Sequence, residues 1–147
     1  MKSSLTDILK EKDGHVYQIA PEASIAEAAK YMKHKRVGAL LVMQGEELIG
    51  VLSERDILMK VVAEGINPED AKVCKVMSRE LVVVKPSLSI REAMSVVTEK
   101  RVRHLPVVSE GKLLGVVSNG DLTRRIIMED QGHITTLYDY IYSSYPG

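Results

Sequence analysis

The sequence has a single cysteine, Cys74, no net charge and no long hydrophobic run. One cysteine cannot form a disulfide within the chain, which favours a reducing compartment. Lys+Arg and Asp+Glu number 20 each, so no overall field attracts nucleic acid or an anionic membrane, although a local basic pocket is compatible with this balance. No stretch is apolar enough to span a bilayer, and Met1–Asp7 contains no apolar run of signal-peptide length. We therefore expect a cytoplasmic protein with no nucleic-acid and no membrane partner.

The common catalytic motifs are also absent. The sequence contains no Cys-x-x-Cys, no His-Glu-x-x-His and no Walker-type phosphate loop. Its four histidines fall in unrelated places, and Cys74 is best explained as a small buried apolar residue. We therefore predict no catalytic residue, no metal site and no catalytic cofactor, and we do not expect an enzyme.

What the sequence does contain is an internal duplication. Shifted by 65 positions, Val16–Lys60 aligns with Leu81–Arg125 without a gap, and 15 of the 45 pairs are identical. The most similar stretches are Leu48–Asp56 and Leu113–Asp121, in which an apolar strand with a central glycine runs into Ser-x-x-Asp. Chance matching does not give one identity in three over such a window, so the chain is built from two copies of one unit.

Each copy begins with the pattern of a strand and a helix. The first strands are predicted at Val16–Ile19 and Leu81–Val84. Ser24 and Ser89 then start a helix as N-caps, each with a glutamate three residues later that completes a capping box. An apolar stripe at helical spacing follows in both copies, at Ile25, Ala28, Ala29 and Met32 and at Ile90, Ala93, Met94 and Val97.

Two more strands and a second helix complete each copy. Val37–Met43 is apolar almost throughout, which predicts a strand buried on both faces. The next strand contains Gly50 or Gly115, and a glycine in mid-strand predicts a bulge or a close backbone approach. Ser53 and Ser118 begin the second helix, whose apolar side in the first copy is predicted at Ile57, Leu58, Val61 and Val62.

These patterns predict an α/β protein of two tandem β-α-β-β-α repeats packed with pseudo-two-fold symmetry. The predicted boundaries are residues 5–66 for repeat 1, 73–130 for repeat 2, and 131–147 for a tyrosine-rich helical tail. Asp7-Ile8-Leu9 and Lys75-Val76-Met77 resemble each other and lead into the first strand of each repeat. The tail is either a helix packed on the body or a contact surface for a second copy or another protein, because tyrosine suits half-buried interfaces.

The repeated Ser-x-x-Asp has a structural and a functional explanation. Serine at the N-cap and an acid at N3 satisfy free amides at the start of a helix. The same helix end attracts anions, and a carboxylate beside it offers two acceptor oxygens to the two hydroxyl groups of a ribose. Serine and aspartate recur in both copies while the residues between them change, from Glu54-Arg55 to Asn119-Gly120, which favours a functional role.

The duplicated unit, with Gly50-Val51-Leu52-Ser53-Glu54-Arg55-Asp56 and Gly115-Val116-Val117-Ser118-Asn119-Gly120-Asp121, resembles the cystathionine-β-synthase (CBS) domain. Arg103-His104-Leu105-Pro106-Val107-Val108 is similar to the second strand of that family. The resemblance covers about Leu5 to Asp130 and points to a tandem pair, or Bateman module, that stands alone.

The resemblance implies a regulatory module that binds an adenosine-containing ligand, namely AMP, ADP, ATP, S-adenosylmethionine or NAD(H), in two clefts between the repeats. It also implies a homodimer and a regulated partner protein. The alternative is a dimerisation or protein-interaction module with empty clefts. A weak enzyme acting on a bound nucleotide is a third hypothesis.

By the family's pattern, Asp121 holds the ribose in one cleft, Ser118 lies near ribose or phosphate, and Arg103 meets phosphate. The residues of this cleft are Ile19, Val37, Gly38, Ala39, Arg103, Val116, Ser118, Asn119 and Asp121. Those of the second cleft are Val51, Ser53, Arg55, Asp56, Val84, Val102, His104 and Pro106.

The two copies differ in charge, and the difference favours the Asp121 cleft. Glu54 adds a negative charge beside Asp56, which disfavours phosphate unless Arg55 offsets it. Arg103 alone is as compatible with a solvated strand end as with a phosphate contact. His104 alone indicates a half-buried, hydrogen-bonded histidine, and Arg124 and Arg125 are expected to be solvated.

Overall fold

The computed structural model describes residues 3–12 and 16–129. The tail predicted at 131–147 lies outside this range. The described residues form two compact units: a first-repeat unit within residues 15–82 and 109–113, and a second-repeat unit within residues 1–14, 83–108 and 114–147. In chain order the elements are α1 (Leu5–Glu11), β1 (Gln18–Ile19), α2 (Ile25–Lys35), β2 (Ala39–Gln44), β3 (Glu47–Ser53), α3 (Glu54–Ile57), a π-helical segment (Leu58–Val62), α4 (Val73–Val76), α5 (Ile90–Lys100), β4 (His104–Ser109), β5 (Lys112–Ser118) and α6 (Asn119–Glu129).

The first-repeat unit is built on a three-stranded sheet in the order β1-β2-β3. β1 is parallel to β2, and β2 is antiparallel to β3. Leu40, Leu41 and Val42 are consecutive and all buried. The apolar run therefore forms a strand that is buried on both faces, as predicted. The pairing shifts between Val42 and Met43, so a bulge lies beside Gly50.

The apolar stripe predicted on α2 is confirmed, because Ile25, Ala28 and Met32 are buried in one core cluster with β2 and β3. Ser24 caps this helix, and its hydroxyl accepts a hydrogen bond from the Glu27 N–H at 3.0 Å. In the second repeat Ser89 and Glu92 form the complete capping box at the start of α5. Both helices therefore begin where the serines predicted.

The apolar side predicted for the second helix of repeat 1 is wrong at two positions. Val61 is fully buried, but Leu58 is 57% exposed and Val62 is 60% exposed. The reason is the π-helical segment, in which the Ala63 N–H bonds to the Leu58 carbonyl five residues earlier. This wider turn rotates the helix face away from the regular 3.6-residue spacing.

The strand predicted at Leu81–Val84 is also wrong as a regular element. Only Val84 pairs, in an isolated parallel bridge with Val107. The Val84 N–H donates to the Pro106 carbonyl, and the Val84 carbonyl accepts from the Val108 N–H. Proline at 106 has no N–H of its own, which limits the ladder that β4 offers to this segment.

The second-repeat unit contains α5, α6 and most of the paired strands β4 and β5. The unit also contains α1, which is the first element of repeat 1 in the chain. The Leu5 N–H bonds to the Leu88 carbonyl, and the Ile90 N–H bonds to the Ser3 carbonyl. The N-terminal segment is thus bound to the second copy rather than to the first.

The short helix at the start of repeat 2, α4, shows the reverse arrangement, because it belongs to the unit of the other repeat. α4 belongs to the first-repeat unit, and Ser78 pairs with Val51 of β3. A Cβ atom on Gly50 would lie 2.5 Å from Met77 Sδ, and one on Gly115 would lie 2.8 Å from Leu9 Cδ2. The predicted close backbone approach is confirmed at Gly50, where the Ser78 carbonyl oxygen would lie 3.0 Å from the Cβ atom, whereas at Gly115 the close atom belongs to the Leu9 side chain. In each case the contact is made by the segment at the start of the other repeat.

The α/β class with two repeats of one set of elements is confirmed. Within the described ranges, no helix is both long enough and apolar enough to cross a membrane.

Candidate functional site

The Asp121 corner lies where β5 ends and α6 begins. The Asp121 N–H donates to Ser118 Oγ at 3.0 Å, and the Ser118 N–H donates to Asp121 Oδ2 at 2.8 Å. The two residues therefore form the reciprocal capping box that Ser-x-x-Asp predicts. The Asn119 N–H lies in the first turn of α6 and therefore has no acceptor within the helix. It donates to the Arg103 carbonyl at 2.8 Å.

Lys12 is the cation at this corner. Its Nζ lies 2.8 Å from Asp121 Oδ2 and 2.8 Å from the Val116 carbonyl. Burial alone would raise the pKa of Asp121, but the hydrogen bonds from Lys12 and Ser118 outweigh it, so the pKa lies below its usual value near 3.8. Asp121 is therefore ionised at neutral pH, as a ribose-binding carboxylate must be.

The Asp56 corner repeats the cap with a different cation. Ser53 and Asp56 form the same capping box, in which the Ser53 N–H donates to Asp56 Oδ2 at 3.0 Å. Lys60, one turn further along, lies 3.1 Å from Asp56 Oδ1. The structural role of Ser-x-x-Asp is thus present in both copies.

The carboxylates of Asp56 and Asp121 differ in which oxygen atoms accept hydrogen bonds. Asp56 uses Oδ2 for the cap and Oδ1 for Lys60. Asp121 uses Oδ2 for both the cap and Lys12, and its Oδ1 has no hydrogen bond within residues 3–12 and 16–129. A carboxylate oxygen offers about two acceptor positions, so within the described residues Asp121 keeps both positions on Oδ1 and none on Oδ2, whereas Asp56 keeps one position on each oxygen.

His104, which the resemblance places in the second cleft, is electrostatically close to Asp121. Desolvation first, and then the charge of Lys12, lower the pKa of the His104 imidazole below its usual value near 6.5, although part of the side chain is exposed. Arg103 acts in the same direction. The neutral imidazole therefore lies beside a lysine, an arginine and a carboxylate.

In the first-repeat unit, Gly38 contacts Glu54, the residue that was expected to place a negative charge beside Asp56. The Glu54 N–H bonds to the Gly38 carbonyl at 2.9 Å. A Cβ on Gly38 would lie 3.2 Å from Glu54 Oε1, so the glutamate side chain covers this glycine. A carboxylate therefore lies over Gly38, one of the residues predicted for the Asp121 cleft.

The remaining predicted residues are distributed over both units. In the first-repeat unit, Ile19, Val37, Ala39 and Val51 are partly buried and Arg55 is exposed. In the second-repeat unit, Val84, Val102 and Val116 are partly buried, Pro106 is buried, and Arg103 and Asn119 are exposed.

Sequence reasoning missed Lys12 and misjudged Arg125. The side chain of Arg125 is only 19% exposed, and its guanidinium pairs with Glu11 of α1 and with Glu129. It is therefore not the solvated residue that was expected. A small cavity of about 170 Å³ lies here, lined by Ile8, Glu11, Lys12, Asp121, Arg124, Arg125 and Met128.

Comparison with known proteins decides the family. The CBS domain model matches residues 5–63 and 73–128. The protein belongs to the CBS domain family. Proteins made of paired CBS domains are regulatory modules, and those that consist of CBS domains alone are typically not catalytic.

Individual CBS relatives resemble most of the chain. The mitochondrial CBS domain-containing protein CBSX3 of Arabidopsis thaliana is 32% identical over 152 residues, covering 97% of this chain and 74% of the relative. The crystal structure of the CBS domain protein NE2398 is 37% identical with a TM-score of 0.80, covering 85% of this chain and 98% of that chain. The crystal structure of CBSX2 in complex with AMP is 25% identical with a TM-score of 0.72, covering 86% of this chain and 98% of that chain.

Proposed function

We propose that this CBS protein is a sensor that binds an adenosine-containing ligand, with the Asp121 carboxylate accepting hydrogen bonds from the ribose hydroxyls. The observation that carries the proposal is the position of Asp121 at a cavity that it lines together with Lys12, Arg124 and Arg125, with its Oδ1 free of hydrogen bonds within the described residues. Ligand candidates are AMP, ADP, ATP, S-adenosylmethionine and NAD(H).

The charge around Asp121 is compatible with a phosphorylated ligand. Lys12, Arg124 and Arg125 line one cavity with Asp121, and Arg103 lies close to the start of α6 through its carbonyl. Cations beside a ribose-binding acid attract phosphate groups attached to the same sugar. The structurally similar CBSX2 was crystallised with AMP, which supports an adenosine compound as the first ligand to test.

It stays a prediction that the first repeat contributes residues to this site, namely Ile19, Val37, Gly38 and Ala39. So do a second site at Asp56, a homodimer, a regulated partner protein, the absence of catalysis and a cytoplasmic location. The negative charge of Glu54 near Asp56, which disfavours phosphate, makes the second site the weaker of the two.

The alternative is an interaction module whose Ser-x-x-Asp corners serve only the fold. The two complete capping boxes favour it, because each aspartate already has a structural partner. An exposed apolar surface at Leu58, Met59, Val62 and Ile66 of the first-repeat unit is a second feature in its favour.

A ligand panel with two matched variants separates these functions. Asp121→Asn and Asp56→Asn keep the shape of the side chain and a carbonyl for the cap, but remove the charge and one acceptor oxygen. At a ligand concentration of about 100 times Kd, binding to the folded state alone stabilises a protein by roughly 2.7 kcal/mol. We expect one of the five candidates to raise the melting temperature of the wild type and of Asp56→Asn.

For Asp121→Asn we expect the affinity to fall about tenfold to hundredfold, because each hydrogen bond to a charged group contributes roughly 1.5–3 kcal/mol. Circular dichroism confirms that each variant is folded. If none of the five ligands stabilises the wild type, the interaction module is the better account.

A further inference from the structure

Lys12 connects the N-terminal segment to the Asp121 corner. It is the residue directly after α1, and its backbone N–H bonds to the Ile8 carbonyl. Its side chain is 35% exposed and reaches Asp121, which is 109 positions further along the chain. The ammonium group satisfies two acceptors at once, the Val116 carbonyl and Asp121 Oδ2.

At the equivalent corner of the first repeat, the Lys60 ammonium also satisfies two acceptors, Asp56 Oδ1 at 3.1 Å and the Val76 carbonyl of α4 at 3.0 Å, but this lysine follows Asp56 by one helical turn. There the Val51 carbonyl accepts from the backbone N–H of Ser78 at 2.9 Å, and Asp56 is neutralised by Lys60 on the following turn. Loss of the Lys60 pair would leave the backbone bonds between Ser78 and Val51 in place. Loss of the Lys12 pair would remove one of the contacts that hold the end of α1, where the pair of Glu11 with Arg125 remains.

The Lys12 pair competes with a ribose for the same oxygen. Asp121 Oδ2 already accepts from the Ser118 N–H and from Lys12, and a carboxylate oxygen offers about two acceptor positions. A diol that donates to both Oδ1 and Oδ2 needs one of these positions. The Ser118 N–H is fixed by the backbone, whereas Lys12 has a flexible stem and partial exposure, so the lysine is the donor that leaves.

We infer that the Lys12–Asp121 ion pair is an intramolecular competitor of the ligand, and that ribose binding at Asp121 releases Lys12 and so weakens the attachment of the end of α1. This inference rests on the proposed function. Its consequence is that the N-terminal segment reports whether the ligand site is occupied, because only the empty site retains the lysine. A partner protein or a second copy of the chain can then recognise the change at α1.

The test compares Lys12→Met with Lys60→Met. Methionine keeps an unbranched apolar stem and removes the ammonium group, and Lys60→Met is the matched control at the other corner. Adenosine and AMP are titrated by calorimetry into the wild type and both variants. Because a partly exposed ion pair is weak, we expect Lys12→Met to bind both ligands about two- to tenfold more tightly, and Lys60→Met to bind as the wild type does.

Hydrogen exchange gives a second readout at α1. In the wild type, AMP should accelerate exchange of the amides in the last turn of α1, since the Lys12 side chain no longer holds that end. In Lys12→Met the same amides should exchange fast without ligand and change little when AMP is added. In Lys60→Met they should respond as in the wild type.

Other results of the calorimetric titrations would contradict the competition or change the role of Lys12. Unchanged or weaker binding of adenosine by Lys12→Met overturns the competition, and weaker AMP binding with unchanged adenosine binding makes Lys12 a phosphate contact instead. Either result leaves the proposed function intact, because the wild type still binds. If the wild type and both variants fail to bind adenosine and AMP, these two ligands are excluded and the competition is rejected with them.

Discussion

The residue with the most partners at the candidate site is Asp121. It closes the first turn of α6 with Ser118, accepts from Lys12, and retains a free oxygen within the described part of the chain. A carboxylate can serve a helix cap and a ligand together because its two oxygens accept about four hydrogen bonds. The structural and the functional explanations of Ser-x-x-Asp are therefore compatible at this position.

His104 provides a test of the electrostatics at this corner that needs no ligand. The charge of Lys12 is one of the causes that lower the pKa of the His104 imidazole, after desolvation. Lys12→Met removes that charge and leaves the carboxylate of Asp121, which raises the pKa. We expect the NMR titration of His104 to move to higher pH in Lys12→Met and to stay in place in Lys60→Met.

Assignment of the His104 signal is straightforward, because a His104→Gln variant lacks it and the other three histidines of the chain remain. An unchanged or lower pKa in Lys12→Met would show that Lys12 does not lie beside His104 and Asp121 in solution.

At single residues, the sequence predicted contacts of short range and missed those of long range. The capping boxes of Ser53 and Ser118 follow from a three-residue spacing that the chain displays directly. Lys12 gives no such signal, since its partner lies 109 positions away and no periodicity joins them. Arg125 was misjudged for the same reason, because its partner Glu11 is contributed by α1.

Among the elements, the two glycine-containing strands β3 and β5 look equivalent in sequence but have different neighbours. A Cβ on Gly50 would meet both Met77 Sδ at 2.5 Å and the Ser78 carbonyl oxygen at 3.0 Å. A Cβ on Gly115 would meet one atom closely, Leu9 Cδ2 at 2.8 Å, at the end of a flexible side chain. Backbone resists displacement more than a leucine methyl group does.

We therefore expect Gly50→Ala to destabilise the protein by about 1–3 kcal/mol, the usual cost of overpacking, and Gly115→Ala to cost less. Urea denaturation of both variants measures the two free energies of unfolding. Leu9→Ala should remove the destabilisation caused by Gly115→Ala. Met77→Ala should remove only part of the destabilisation caused by Gly50→Ala, because the Ser78 carbonyl remains. Equal costs in the two strands would contradict this account of their packing.

Element types were predictable wherever the pattern was long and regular. The stripes of α2 and α5 and the buried run of β2 are repeated in both copies and left no ambiguity. The π-helical segment was not predictable, because a widened turn changes the spacing on which a stripe is recognised. Leu81–Val84 has strand composition, yet its partner β4 offers it only one bridge.

For the whole molecule, the duplication predicted the fold and the family, but not which segments pack together. α1 begins repeat 1 and belongs to the second-repeat unit, while α4 begins repeat 2 and belongs to the first-repeat unit. Self-comparison of the sequence detects copies, and it contains no information on which copy a connecting segment contacts. The dependence of Asp121 on Lys12 is a result of this exchange of segments.

The most direct test of the central claim, that Asp121 accepts both ribose hydroxyls, is a calorimetric comparison of AMP with 2′-deoxy-AMP on the wild type and on Asp121→Asn. The deoxy ligand lacks one donor, so the wild type should bind it more weakly than AMP by about 1–3 kcal/mol. In Asp121→Asn the difference between the two ligands should shrink. Equal affinity of the wild type for AMP and 2′-deoxy-AMP would contradict the ribose role of Asp121.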